Sequence, residues 1–116
     1  MTAANAIYLS TPTRKVNERS SMVVTARFRD RATNADVTPT NIYWRLDDAD
    51  VGEIAGWTSA TPGTTVSITL SPTQNQILNG TRSLEAKFIS FAADYGLATE
   101  YRETFRYEVK NQRYVT

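Results

Sequence analysis

The segment NIYWRLDDADVGEIAGWTS, residues 41–59, indicates the fold most clearly. In its first half apolar and polar side chains alternate, so Ile42, Trp44 and Leu46 fall on one face of an extended chain. This period of two is typical of an antiparallel strand with one buried face. A group of carboxylates then interrupts the pattern, and a weaker strand candidate follows around Trp57. The segment therefore predicts two strands joined by a turn.

The same alternation recurs along the rest of the chain. It is clearest in residues 22–30, 65–71, 83–91 and 103–111, and it is weaker in residues 6–10. Clusters of Gly, Pro, Asn and Asp separate these segments and indicate turns. About seven short strands at this spacing predict an all-β fold, a single antiparallel immunoglobulin-like β-sandwich.

The segment SLEAKFISF has an irregular version of this pattern. Leu84, Ala86 and Phe88 define its apolar face. The charged residues between them are therefore expected to point to solvent. The apolar positions then change parity, because Ile89 and Phe91 fall on the opposite face. Such a change indicates a β-bulge or a strand that is covered on both faces.

One short helical turn is predicted near residues 72–78. Ser71 is suited to the N-cap, a proline follows at the first helical position, and Gln74 completes a capping box. The Asn-Gly pair at 79–80 is suited to end a helix in the left-handed conformation.

The domain organisation is simple. A sandwich domain is expected over residues 14–111, preceded by an N-terminal arm, residues 1–13, that can include a first strand. Residues 112–116 form a C-terminal tail. A chain of 116 residues is long enough to bury a hydrophobic core as one domain.

The composition excludes several classes of function. The chain has no cysteine and no histidine, so disulfides, a thiolate nucleophile, a Ser-His-Asp triad and histidine metal ligands are all absent. The net charge is +1, which provides no field for nucleic acid or an anionic membrane. We therefore expect no enzymatic activity, no cofactor, and neither a nucleic acid nor a membrane as partner. The N-terminus does not resemble a signal peptide, so the chain is expected to be made in the cytoplasm and not exported by the general route.

Asp47, Asp48, Asp50 and Glu53 are the residues that most suggest chemistry. A helix-loop-helix calcium site needs oxygen ligands at positions 1, 3 and 5 with glycine at position 6, and no register of this stretch meets that spacing. Paired-carboxylate catalysis needs a cleft, for which a compact sandwich has little material. We interpret the cluster as a turn whose acids accept backbone N–H bonds, with an irregular calcium site between strands as the alternative.

Several apolar residues fall outside the alternating pattern and are candidates for contact with a partner, since aromatic side chains often anchor protein interfaces. An alternative is that they close one end of the core. The candidates are Trp57, Phe91, Tyr95, Leu97, Ile7 and Tyr8.

With Trp44 on the predicted third strand, the chain resembles immunoglobulin-like and fibronectin type III-like sandwiches, although it lacks the cysteine pair of antibody domains. The segments WRLD (44–47), ITLSPTQNQIL (68–78) and YRETFRYEVKN (101–111) resemble small β-sandwich proteins of tailed bacteriophages, which decorate capsids or accompany the neck and tail. The resemblance implies a virion protein that binds a major capsid or tail protein and can form a homo-oligomer such as a trimer.

Two hypotheses on function follow. The first is a non-enzymatic virion component that binds and stabilises a capsid or tail assembly. The second is a module that binds carbohydrate or a cell surface through Trp57, Tyr43 and Tyr95. Coplanar exposed rings on one sheet face would favour a sugar, whereas aromatic side chains clustered at one end would favour a protein partner.

Overall fold

A computed structural model describes residues 4–10, 15–78, 81 and 83–111, and every regular element in these ranges is a β-strand. No helix long and apolar enough to cross a membrane occurs in this part of the chain. The strands are β1 (Ala6–Ser10), β2 (Lys15–Asn17), β3 (Met22–Arg29), β4 (Ile42–Asp48), β5 (Gly52–Ala60), β6 (Thr65–Leu70), β7 (Leu84–Ala93) and β8 (Tyr101–Lys110).

The strands form two sheets, with orders β1-β3-β6 and β2-β8-β7-β4-β5. All neighbours are antiparallel except β2, which runs parallel to β8. The two sheets pack as a sandwich, so the predicted all-β sandwich is confirmed, although the parallel pairing of β2 departs from the expected antiparallel arrangement. The described residues contain eight strands where about seven were expected. The additional strand is β2, whose three residues are too few to show a period in the sequence.

The N-terminal segment is part of the smaller sheet. All five residues of β1 pair with β3, and Ile7 lies opposite Phe28. Ala4, Ala6 and Ile7 are all buried. Residues 4–10 therefore pack in the sandwich as part of the smaller sheet.

The core lies between the sheets and is built from the side chains that the alternation predicts on β3, β4 and β6. Val24, Ala26 and Phe28 are fully buried on β3, and Ile42 and Leu46 are fully buried on β4. A shift of the strand pairing by one residue would turn these apolar side chains to solvent. Burial of the core therefore fixes the register of these strands.

The expected helical turn is wrong, although its capping box forms. Ser71 N–H donates to Gln74 Oε1 (2.8 Å), and Gln74 N–H donates to Ser71 Oγ (3.1 Å). A single turn follows, closed by Asn75 N–H on the Ser71 carbonyl. It does not continue as a helix, because the Asn75 carbonyl accepts the N–H of Arg19 from the β2–β3 turn (2.9 Å). The Asn-Gly pair expected to end the helix lies outside the described residues.

The predicted orientation of β7 is also wrong. Glu85, Lys87 and Ile89 are buried, whereas Leu84 and Phe88 on the opposite face are partly exposed. The pairing of β7 with β8 runs without interruption, so β7 has no bulge. From residue 89 onwards the strand is buried on both faces, which is the other interpretation of its apolar run. The register shifts occur instead between β4 and β5.

Candidate functional site

The acidic stretch forms a tight hairpin between β4 and β5. Asp48 pairs with Gly52, which has a φ of 98°, a conformation that favours glycine. Asp48 Oδ1 accepts the backbone N–H groups of Asp50 (2.9 Å) and Val51 (3.0 Å). This arrangement is the turn that the sequence predicts, with one acid bonded to the backbone as expected.

The acids of the hairpin do not converge on one point. Asp47 lies on the outer sheet face in a two-bond ion pair with Arg45 (2.7 and 2.9 Å), whereas Asp48 points into the sandwich. Among the described residues no group of three or more acidic side chains is placed to hold a metal ion.

Asp48 belongs to a cluster that the sequence pattern did not indicate, the buried triad of Lys87, Asp48 and Glu85. Lys87 Nζ donates to Asp48 Oδ2 (3.0 Å) and to Glu85 Oε1 (3.1 Å). The side chains of Lys87 and Asp48 are 0% exposed and that of Glu85 is 1% exposed. Glu85 Oε1 also accepts the N–H of Leu78.

The electrostatics of the triad favour an ionised Asp48. Burial raises the pKa of this carboxyl, but the backbone N–H groups of Val51 and Asp50 and the side chains of Glu85 and Lys87 together lower the pKa to about 2. Burial, and then the charge of Asp48, raise the pKa of the Tyr107 hydroxyl, which donates to Asn75 Oδ1 (2.7 Å).

A second group of side chains lies at the opposite end of β4, on the outer face of the five-stranded sheet. This aromatic cluster consists of Tyr43, Trp57 and Tyr95, which are all partly exposed. The rings of Tyr43 and Tyr95 have centroids 4.5 Å apart at an angle of 31°. The rings of Trp57 and Tyr95 are 5.3 Å apart at 49°. The three rings pack on one another and are tilted.

The irregular pairing of β4 with β5 accounts for the position of Trp57. Between Trp44 and Leu46 the register shifts, so that Thr58 and Ala55 are their partners on β5. The extra residue on β5 is a β-bulge, which re-aims the side chains that follow it. Trp57 thereby shares the outer face with Tyr43.

Two arginines complete the aromatic cluster. The guanidinium carbon of Arg102 lies 4.9 Å from the Trp57 ring centroid and 5.5 Å from that of Tyr95. The guanidinium carbon of Arg45 lies 5.7 Å from the Trp57 ring. All three distances are within the range of cation–π attraction. Arg102 also pairs with Glu100 (2.9 Å). The backbone N–H of Gly96, and then Arg102, lower the pKa of Glu100.

The loop that carries Tyr95 is held in place by hydrogen bonds. Asp94, at a φ of 55°, accepts the N–H of Thr40 on Oδ1 (2.6 Å) and the hydroxyl of Thr99 on Oδ2 (3.0 Å). Asn41 Nδ2 donates to the Tyr95 carbonyl (3.0 Å). The backbone before β4 thus fixes the position of Tyr95, and the ring needs little ordering to meet a partner.

The candidate contact residues fall into three groups. Trp57 and Tyr95 are together in the aromatic cluster, and Leu97 is 46% exposed in the same loop as Tyr95. Tyr8 is exposed but lies on the outer face of the other sheet, beside Arg27. Phe91 and Ile7 are core residues, at 0% and 6% exposure, so the structure removes them from the candidate surface.

The fold and these contacts define the class of protein, an immunoglobulin-like β-sandwich domain with an aromatic and arginine cluster at one end and a buried ion-paired triad at the other. No family model and no curated protein matches the chain.

Solved structures of low similarity exist. The PKD domain of an M14-like peptidase from a Thermoplasmatales archaeon is 16% identical, over 95% of this chain and 96% of that chain, with a TM-score of 0.47. The superoxide reductase (neelaredoxin) from Ignicoccus hospitalis is 13% identical over 94% and 82%, with a TM-score of 0.49. A conjugative transposon lipoprotein from Bacteroides eggerthii is 6% identical over 87% and 95%, with a TM-score of 0.48. A function for this chain therefore has to be inferred from its site.

Proposed function

We propose that this protein is a non-enzymatic binding module and that its partner is a protein, which docks on the aromatic cluster. The observation that carries the proposal is the placement of Trp57, Tyr95 and Arg102 in mutual contact at one end of the sandwich. Trp, Tyr and Arg are the side chains that most often dominate the binding energy of protein interfaces. A fixed loop that presents two of the rings reduces the entropy lost on binding.

The same geometry supports a protein partner over a sugar. A pyranose ring stacks on a flat aromatic face that is open to solvent. Here the rings of Tyr43 and Trp57 are inclined to that of Tyr95, and guanidinium groups lie over Trp57 and Tyr95. The cluster exposes the edges of aromatic rings and a guanidinium group, and the apolar Leu97 lies in the same loop as Tyr95. Such a mixture of apolar and charged groups suits contact with the side chains of a protein surface.

A capsid or tail protein of a tailed phage is the partner class we propose, and this choice rests on the sequence resemblance. A module that binds the assembled lattice more tightly than free subunits would stabilise the shell by linkage. Trimerisation would add avidity, because several docking sites would meet the lattice together.

Co-sedimentation of the purified protein with intact phage particles from its source tests this function. We expect saturable binding that the Trp57→Ala substitution weakens at least tenfold, because removing a central aromatic anchor typically costs about 2 kcal/mol or more. Tyr8→Ala is the matched control, since Tyr8 is an exposed aromatic residue on the other sheet. Equal binding of the two variants would exclude the aromatic cluster as the docking site, and binding to glycans in place of particles would favour the carbohydrate hypothesis.

A further inference from the structure

The buried triad has a composition that electrostatic stability alone does not explain. Lys87, Asp48 and Glu85 are withdrawn from water, and the cost of removing ions from water often exceeds the attraction between them. Apolar side chains of similar size would fill the same volume at no such cost. The triad contains an amine and two carboxyl groups in direct contact, and these groups can react with one another.

The reacting groups are an amine and a carboxyl on adjacent strands. Asp48 and Lys87 are direct partners in the pairing of β4 with β7, which holds Nζ 3.0 Å from Oδ2. Two groups fixed in this way react as if at a very high effective concentration, of the order of 10⁵ M or more in well-oriented cases. The amine and the carboxylic acid are the forms that condense, so the reaction requires one proton to pass from Nζ to the Asp48 carboxyl.

We propose that Lys87 and Asp48 condense to an intramolecular amide that cross-links β7 to β4, with Glu85 as the proton carrier. The ammonium of Lys87 first transfers a proton so that Nζ is a neutral amine and the Asp48 carboxyl is protonated. Nζ then attacks Cγ of Asp48 to form the new N–C bond of a tetrahedral intermediate, and the bond from Cγ to Oδ2 breaks when this intermediate collapses. Oδ2 leaves as water with the carboxyl proton and one amine proton. The starting ion pair and the product amide are both neutral, and no oxidant or further reactant is needed.

The surroundings of Asp48 suit this reaction. Oδ1 accepts the backbone N–H groups of Asp50 and Val51, so the oxygen that gains negative charge in the tetrahedral intermediate already has two donors. The same two donors then bind the amide carbonyl of the product.

Glu85 is placed to move the protons. Its Oε1 is 3.1 Å from Lys87 Nζ, which also donates to Asp48 Oδ2 (3.0 Å), so Glu85 and the leaving oxygen both contact the same amine. Glu85 can therefore accept a proton from Nζ, deliver one to the leaving Oδ2, and return to its starting state.

Intact-mass spectrometry of the purified, denatured protein tests the proposal. The wild-type chain is expected to be lighter than the Glu85→Gln variant by one water, after the small mass difference of the substitution is subtracted. The comparison cancels any processing at the chain ends. Glu85→Gln keeps both reacting groups and is close in shape to the wild type, and Glu108→Gln is the matched control on the outer face of β8. This control should lose water as the wild type does.

Peptide mapping after proteolysis locates the change. A branched peptide that contains both Asp48 and Lys87 is the expected product. Full mass in the folded wild-type protein, or a water lost within a single linear peptide, would overturn the proposal. A cross-link that forms equally in Glu85→Gln would overturn the role of Glu85 as the proton carrier. Near-UV circular dichroism, which reports the packing of the core Trp44, checks that each variant is folded.

Discussion

Lys87 is tolerated in the core because both of its neighbours in the triad are acids. An ammonium without a partner in this position would be deprotonated or would unfold the protein. Asp48 and Glu85 each accept one of its hydrogen bonds at about 3 Å. The two carboxyl groups therefore depend on Lys87, and removing it leaves both of them without a cation.

Replacing Lys87 by methionine should destabilise the protein strongly. The substitution keeps the volume of the side chain but leaves two carboxyl groups buried without a cation, and breaking a buried pair in this way costs about 3–5 kcal/mol. The measurement is the free energy of unfolding in urea. Arg106→Met is the control, because Arg106 forms an exposed pair with Glu108 that is worth at most about 1 kcal/mol. Similar losses in the two variants would show that the triad is not buried as described.

Acid should lower the stability of any chain in which Asp48 has not formed the amide and remains a free carboxylate. Its pKa in the folded chain is lowered from 3.8 to about 2, so its ionised form stabilises the fold above pH 4, and this stabilisation is lost as the pH falls towards 2. Because the backbone donors remain, the unlinked Glu85→Gln variant should show this loss in thermal unfolding curves recorded from pH 5 to pH 2. In a chain whose Asp48 has condensed to an amide, this contribution is absent, since the group no longer titrates. Stability that rises on acidification of the variant would contradict the assignment of Asp48.

At the level of the element, the hairpin between β4 and β5 depends on its glycine. Gly52 has a φ of 98° and no neighbour within 4 Å of where a Cβ would lie. A larger side chain at this position would therefore strain the backbone but would not clash with a neighbouring atom.

Gly52→Ala should cost about 1 kcal/mol or slightly more of unfolding free energy, and Gly52→Asn should cost less, since Asn tolerates positive φ better than Ala. Chemical denaturation of the two variants against the wild type makes the comparison. An equal cost for Ala and Asn would indicate that the hairpin adopts a different turn.

Alternation predicts most strands of this chain, because a strand with one wet face imposes a period of two on the sequence. It fails on β7, where the inward face carries Glu85 and Lys87 before Ile89. A pattern based on polarity assigns charged residues to solvent, and only the three-dimensional position of Asp48 shows that they are paired. The parity of Ile89 and Phe91 was the one signal in the sequence that agreed with the observed face.

The candidate site was predicted in part for a similar reason. Trp57 and Tyr95 stood out because they broke the alternation, but their meeting with Arg102 depends on the β5 bulge and on loop bonds between residues 54 positions apart. The short helical turn expected near residues 72–78 does not form, because the carbonyl of Asn75 bonds to a distant segment. Contacts between residues this far apart along the chain leave no local pattern in the sequence.

For the whole molecule, the two ends of the sandwich have different properties. The aromatic cluster lies where β4 begins, and the buried triad lies where β4 ends, since Ile42 pairs with Ala93 and Asp48 pairs with Lys87. One end therefore carries the surface that we propose for a partner. The other ties the central strands of the larger sheet together, in a chain that has no cysteine for a disulfide.

Both tryptophans lie on the larger sheet but in different surroundings, which gives a direct test of the binding surface. Trp44 is a core residue at 9% exposure, and Trp57 is in the aromatic cluster. In a Trp44→Phe variant the only tryptophan emission comes from Trp57.

The measurement we would make is acrylamide quenching of this emission, with and without saturating phage particles, under conditions where co-sedimentation shows the variant bound. Docking on the aromatic cluster predicts a blue-shifted emission and a clear loss of quenching on binding, because the partner would cover Trp57. Unchanged emission and unchanged quenching in the bound protein would contradict the account, since they would place the partner on another surface.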